Sequence, residues 1–140
     1  MSARYVTRER AHVDRIATAW AIKRFVDPDA TFAFVKRTID IDSVDGTPFD
    51  IRGALLSHRG QQCTFEVLLE DRGLTDPALA RMGAIVRGAD LPHENELPAE
   101  SGGVRAVFDA IRDADTTDDE RLRIGSELCD ALYAYCRGDG

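Results

Sequence analysis

The 140-residue chain carries 18 Lys and Arg residues against 25 Asp and Glu residues, for a formal net charge of −7, and 44% of its residues are hydrophobic. These proportions are typical of one folded domain, residues 1–140, that buries a core without help from disulfides or metals. No apolar run in the sequence approaches the roughly 18 residues of a membrane span, and the acidic balance disfavours binding to a nucleic-acid backbone.

The N-terminal quarter predicts two strands around one helix. Residues 4–7 have β-formers at their centre and predict a strand. From residue 11 or 12 to about residue 26, apolar side chains recur every three or four positions, which predicts an amphipathic helix. Asp27 and Pro28 end it, because the residue before a proline is pushed out of helical space. Residues 31–35 are an unbroken run of β-formers and predict a second strand.

The middle of the chain predicts turns, a third strand and a short helix. Residues 40–52 contain an Asp-Gly pair and a proline, so they are predicted to form turns with at most one weak strand. The apolar run at residues 53–58 predicts the third strand. Thr64 is suited to cap a helix of about eight residues, which Gly73 would end.

The C-terminal half predicts three further helices. Asp76 and Pro77 are a favourable helix start, and this helix runs to Gly88. Residues 89–103 form a predicted loop long enough to suggest a function. An amphipathic helix follows over residues 103–114, and a capping box at residues 117–120 starts a final helix that runs to Arg137. The sum is an α+β fold: a mostly helical single domain with a small N-terminal β-sheet.

Charged residues crowd together at residues 7–15, where the first strand leads into the first helix. If His12 opens that helix, Arg15 lies one turn away, near backbone N–H groups that favour negative charge, and Arg8 ends the preceding strand. Guanidinium groups in this position suit a tetrahedral or carboxylate oxyanion. The alternative is that these arginines pair with neighbouring carboxylates on the surface, each pair worth about 0–1 kcal/mol.

Two histidines and two carboxylates predict a metal site. The set comprises His12, His58, Glu66 and Asp90. Imidazole and carboxylate ligands suit a divalent ion such as zinc, iron or manganese. Asp14 and His93 are the substitutes if one of the four points away.

Other catalytic templates are absent from the sequence. It contains no Gly-x-Ser-x-Gly elbow and no glycine-rich phosphate loop, so we expect no nucleotide or organic cofactor. Three cysteines without a C-x-x-C spacing disfavour a disulfide framework or a zinc knuckle. A Cys63–His58 nucleophile is disfavoured because only Arg59 lies nearby in sequence to lower the thiol pKa. No signal peptide is evident, so a cytoplasmic location is expected.

Several segments together form a pattern that spans nearly the whole chain. They read Tyr-Val-Thr-Arg-Glu-Arg at 5–10, His-Val-Asp-Arg-Ile-Ala at 12–17, Thr-Pro-Phe-Asp at 47–50, Ser-His-Arg-Gly at 57–60, Cys-Thr-Phe-Glu at 63–66, Ile-Val-Arg-Gly-Ala-Asp at 85–90 and Tyr-Ala-Tyr-Cys-Arg at 133–137. This pattern resembles the C-terminal domain of the chromate resistance protein ChrB family.

The resemblance implies a domain that acts in chromate-responsive regulation. Chromate is a tetrahedral dianion, which agrees with the arginine site proposed from the residues. The best-known family members carry an additional N-terminal DNA-binding segment. This chain begins at the C-terminal module, so we expect a stand-alone version that does not bind nucleic acid directly.

Three functional hypotheses follow. In the first, a cytoplasmic module senses or sequesters an oxyanion through Arg8 and Arg15, helped by Arg87, beside the predicted metal site. In the second, the same metal site serves a small metalloenzyme whose arginines orient an anionic substrate. In the third, the domain is structural and its charges are ion pairs. The sequence leaves catalysis and oligomeric state open, and a homo-oligomer is compatible with all three hypotheses.

Overall fold

The structure, a computed structural model, describes residues 3–92 and 97–138. A small sheet is built by the first half of the chain, and the second half of the described chain is helical. The strands are β1 Arg4–Arg8, β2 Thr31–Val35 and β3 Thr47–Pro48, and the helices are α1 Val13–Ala21, α2 Thr64–Asp71, α3 Pro77–Asp90, α4 Ser101–Asp113 and α5 Asp118–Arg137. The predicted fold class, α+β with a small N-terminal sheet, is confirmed.

The sheet has the order β2-β1-β3, and both of its strand pairs are parallel. Because parallel strands end at the same edge of a sheet, the residues that follow β1 and β2 lie side by side. Arg8 is in register with Val35, and the next backbone N–H, that of Glu9, donates to the Val35 carbonyl at 2.8 Å. The sheet therefore brings the charged segment after β1 next to the one after β2.

The strand predicted over residues 53–58 is wrong, because that segment forms turns. Gly53 has a φ of 92°, and the Ala54 N–H closes a turn onto the Ile51 carbonyl at 3.0 Å. Leu55 is 94% exposed, so the apolar run does not lie on one buried surface. Leu56 makes a single bridge to Phe49, and the third strand is the short β3 upstream.

Two helix starts follow the predicted capping residues, whereas the cap predicted at Thr64 is wrong, because Cys63 is the N-cap of α2 and Thr64 is its first residue. Asp76 accepts a hydrogen bond from the Ala78 N–H at 2.9 Å, and Thr117 accepts one from the Glu120 N–H at 3.2 Å. α1 continues into one π-helical turn over residues 22–26, which matches the predicted helix end. α3 extends to Asp90 and α4 begins at Ser101, so the intervening segment is shorter than the predicted loop.

α1 is packed between α2 and α5, which fixes the position of its first turn. Trp20 stacks on Phe65 of α2 with ring centroids 6.5 Å apart, and its Nε1 donates to Asp130 of α5 at 2.8 Å. Gly125 of α5 approaches Ile16 so closely that a Cβ there would lie 2.5 Å from the Ile16 Cγ2. Within the described residues, no helix is both long and apolar enough to cross a bilayer.

Candidate anion pocket and metal centre

A cationic cavity of about 440 Å³ opens where β1 leads into α1. We call it the arginine pocket, and its lining residues are Arg8, Glu9, Arg10, His12, Arg15, Arg37 and Arg112. Five guanidinium groups thus accompany one carboxylate in the lining, and carboxylates just outside it pair with three of them: Asp113 with Arg10 at 3.6 Å, Asp109 with Arg112 at 3.5 Å and Asp50 with Arg15 at 3.2 Å. The positive charge that remains in this concave site attracts anions.

The fold explains why these arginines converge. Arg8 is the last residue of β1, and Arg37 follows β2 at the same edge of the sheet. Arg15 lies in the first turn of α1, and Arg112 in the last turn of α4. Arg10 has a φ of 59°, a left-handed conformation that is uncommon for a residue with a side chain. The turn that Arg10 makes connects Arg8 to Arg15 across one short segment.

Two of these guanidinium groups carry buried donors with no partner among residues 3–92 and 97–138. The Nε atoms of Arg8 and Arg15 are buried, and neither has a hydrogen-bond partner in the part of the chain that the structure describes. Burial, followed by the neighbouring charge of Arg15, lowers the pKa of Arg8 from its ordinary value. A buried donor without a hydrogen bond, next to a like charge, raises the free energy of the folded protein. An oxyanion that accepted hydrogen bonds from these Nε atoms would lower it.

The backbone at the start of α1 already holds a carboxylate. Asp118, the first residue of α5, accepts the Arg10 N–H at 3.0 Å and the Ala11 N–H at 2.9 Å. These two amides precede α1, whose first-turn N–H groups are the ones that the sequence assigned to anion binding. Asp118 makes the Arg10 and Ala11 amides unavailable to an external anion.

A second cluster lies next to the pocket, on the other side of Arg15. We call it the His58 cluster, and it comprises Asp14, Asp50, His58 and Asp90. The Nε2 atom of His58 lies 3.0 Å from Asp14 Oδ2, 3.3 Å from Asp90 Oδ2 and 3.7 Å from Asp50 Oδ1. Hydrogen bonds to Asp14 and Asp90 raise the pKa of His58 to about 10. The imidazolium therefore offsets part of the charge of the three carboxylates.

The carboxylates of the cluster are oriented by hydrogen bonds. Asp14 is buried, and it accepts the Thr64 N–H and the Phe65 N–H, each at 2.9 Å, at the N-terminus of α2. Asp50 accepts the Thr64 hydroxyl at 2.9 Å. Burial and the neighbouring Asp14 raise the pKa of Asp50 to about 6, which Arg15 opposes.

Arg15 lines the arginine pocket and also contacts the His58 cluster. Its Nη2 lies 3.2 Å from Asp50 Oδ2 and donates to the Asp50 backbone carbonyl at 3.0 Å. Asp50 has a φ of 52°, and this conformation points its carbonyl and carboxylate to the same guanidinium. One ion pair therefore separates the arginine pocket from the His58 cluster.

Comparison with known proteins identifies the family. The family described as "ChrB, C-terminal domain" matches residues 5–136. The chain belongs to the ChrB C-terminal domain family. It is also 36% identical over 132 residues to Protein ChrB of Cupriavidus metallidurans. That match covers 94% of this chain but 40% of the relative, so the chain spans less than half of the relative's length. No solved structure matches the chain.

In this ChrB-type domain, the predicted anion-binding residues are divided between two places. Arg8 and Arg15 line the arginine pocket together. Arg87, on α3, lies with its Nε 3.5 Å from Glu66 Oε1 and is not among the lining residues. Arg37 and Arg112 were missed by sequence reasoning. Arg37 could have been predicted to lie near Arg8 if β1 and β2 had been recognised as a parallel pair. Arg112 is brought to the pocket by the packing of α4, which no local sequence pattern predicts.

The predicted metal residues are divided in the same way. His58 and Asp90 lie together, joined by the substitute Asp14. The other two predicted ligands lie elsewhere. His12 Nε2 is 2.7 Å from Asp109 Oδ1, and Glu66 accepts the Cys63 N–H at 3.2 Å as part of the start of α2. The substitute His93 lies outside the described residues.

Two further features of the domain bear on its chemistry. Burial, followed by the charge of Arg112, lowers the pKa of His12, although the adjacent Asp109 opposes this shift. Cys63 is buried, and burial raises the pKa of its thiol. A thiol with a raised pKa is a poor nucleophile. The burial of Cys63 therefore disfavours a Cys63–His58 catalytic pair, in agreement with the sequence.

Proposed function

We propose that this domain binds a small oxyanion, chromate or a relative of it, in the arginine pocket. It would serve as a cytoplasmic sensing or sequestering module in the response to chromate stress. Membership of the ChrB C-terminal domain family favours chromate as the ligand to test first. The single observation that carries the proposal is the convergence of five arginines on one pocket, two of which, Arg8 and Arg15, have buried Nε donors without a partner among the described residues.

The chemistry of the pocket suits a tetrahedral dianion. A guanidinium group presents several N–H donors in a fixed plane, and its hydrogen bonds to an oxyanion are charge-assisted. The cavity of about 440 Å³ is many times the roughly 30 Å³ share of one water molecule, so an anion could enter with part of its hydration shell. Arg10 and Arg37 are exposed at the mouth, where they can adjust to the ligand.

The test is calorimetric titration of the protein with chromate, sulfate and phosphate. Sulfate is included because it has the shape and charge of chromate without its oxidising power, so heat from thiol oxidation is not mistaken for binding. The variant is Arg8→Gln. Arg8 is preferred to Arg15, since replacing Arg15 would also remove its ion pair with Asp50.

Arg8→Gln is expected to weaken binding of the tetrahedral dianions roughly tenfold to a hundredfold, since a charge-assisted hydrogen bond contributes about 1.5–3 kcal/mol. Arg87→Gln is the matched control, because this arginine lies outside the pocket lining. It should leave the affinity unchanged. Unaltered binding in Arg8→Gln, or an equal loss in Arg87→Gln, would move the anion site away from the arginine pocket.

A further inference from the structure

We infer that the His58 cluster is a binding site for one divalent first-row transition-metal ion, with Asp14, His58 and Asp90 as its ligands. The inference goes beyond the oxyanion pocket and does not depend on it. It also differs from the set predicted from the sequence, because His12 and Glu66 are replaced by the buried Asp14.

The spacing of the donor atoms fits a coordination sphere. One donor atom from each of Asp14, His58 and Asp90 lies within 4.8 Å of the other two. His58 Nε2 lies 3.0 Å from Asp14 Oδ2 and 3.3 Å from Asp90 Oδ2. With metal–ligand bonds of about 2.1 Å, neighbouring ligands lie about 3.0 Å apart in an octahedron and about 3.4 Å apart in a tetrahedron. An ion could therefore replace the proton shared among these side chains with little movement of the ligands.

The ligands are held in place by other contacts. Asp14 is anchored by two backbone N–H groups: Oδ1 accepts that of Phe65, and Oδ2 accepts that of Thr64 while also lying 3.0 Å from His58 Nε2. Asp50 lies behind them as a second-layer carboxylate, and its own orientation is fixed by Thr64 and Arg15. Outer contacts of this kind orient metal ligands and strengthen binding.

The donor types select the class of ion. One imidazole with carboxylates suits zinc, manganese or ferrous iron, whereas magnesium and calcium prefer oxygen ligands alone. Among the described residues, the group of donor atoms around His58 contains no cysteine sulfur. His58 is partly exposed, so an ion could enter from solvent on that side.

The inference is tested by metal titration of the chain after treatment with EDTA. Mn²⁺ binding is followed by the loss of the free-ion EPR signal, and Zn²⁺ binding by competition with a chromophoric chelator. One ion per chain is expected. Asp90→Asn should weaken binding roughly tenfold or more, because it replaces an anionic ligand at the last residue of α3 with a neutral amide. His58→Gln should weaken it similarly.

Asp109→Asn is the matched control, since Asp109 forms the other His–Asp pair of the pocket region, with His12. Asp109→Asn should bind the metal ion as tightly as the wild type does. Circular dichroism establishes that each variant is folded. The inference is overturned if neither Mn²⁺ nor Zn²⁺ binds the wild type up to about 1 mM, or if Asp90→Asn and His58→Gln bind like the wild type. Equal losses in His12→Gln and Asp109→Asn would reject this ligand set in favour of one that includes His12.

Discussion

The replacement of Asp14 by alanine is the most decisive test of how the site is built into the fold. Asp14 is buried in α1, and its two oxygens accept the Phe65 N–H and the Thr64 N–H, each at 2.9 Å. These N–H groups belong to the first turn of α2, where no intrahelical acceptor exists. Asp14→Ala therefore removes the partner of both groups at once, in a part of the core that water does not reach.

The expected loss of stability in Asp14→Ala follows from the two hydrogen bonds that it removes. An unsatisfied buried donor costs about 1–3 kcal/mol, so two of them cost about 2–6 kcal/mol. One effect works in the other direction: Asp14 raises the pKa of Asp50, and its removal relieves repulsion between the two carboxylates. We therefore expect Asp14→Ala to lower the free energy of unfolding by about 3 kcal/mol, which is a large part of the about 5–15 kcal/mol typical of a domain.

The assay is urea unfolding in the presence of EDTA, so that no metal ion contributes. Asp71→Ala is the control, because Asp71 is exposed and pairs with Arg59 at 2.9 Å on the surface of the protein. Such a pair contributes about 0–1 kcal/mol. If Asp14→Ala lost no more stability than Asp71→Ala, Asp14 would not anchor α2, and the rigidity ascribed to the His58 cluster would be refuted.

Three further outcomes can be measured on the same preparation. Gly125→Ala should destabilise the domain by about 1–3 kcal/mol in urea unfolding, since its Cβ would lie 2.5 Å from the branched Ile16, whereas Gly103→Ala, which meets no atom within 4 Å, should not. His58 has a pKa raised to about 10 in the folded state, so its stabilising contribution is complete below about pH 6.5 and is lost as the pH rises through about 10. The stability difference between the wild type and His58→Gln, measured in EDTA, should therefore shrink between about pH 6 and pH 10, and a constant difference would contradict the assignment. Cys63 is buried and its pKa is raised, so it should react with a thiol reagent at about pH 8 only after unfolding, and rapid labelling of the native protein would show that α2 opens.

The parts of the fold that could be predicted are those with local chemical signals. Asp76 with Pro77, and Thr117 with Glu120, define helix starts through contacts within three residues, and the structure has both. The run at residues 53–58 misled because its apolar residues suggested a strand, whereas the exposed Leu55 and the left-handed Gly53 belong to turns. Periodicity over six residues cannot separate these outcomes.

The site could be predicted only where its residues are close to one another in the sequence. Arg8 and Arg15 are joined by one tight turn, so their convergence could be inferred from the sequence. Asp50 gave no such signal, because it enters the cluster through a left-handed conformation and a contact to Arg15, 35 residues away. Asp109, the partner of His12, is brought in by the packing of α4, which depends on the whole core.

The Arg15–Asp50 ion pair has a thermodynamic consequence if both proposed ligands bind. An anion that binds Arg15 competes with Asp50 for the same guanidinium, and Asp50 Oδ1 already lies 3.7 Å from the imidazole of His58. The Asp50 carboxylate, no longer paired with Arg15, would then add its negative charge to the His58 cluster and favour binding of the metal ion. Linkage makes such an effect mutual: whatever factor the anion applies to the affinity for the cation, the cation must apply to the affinity for the anion.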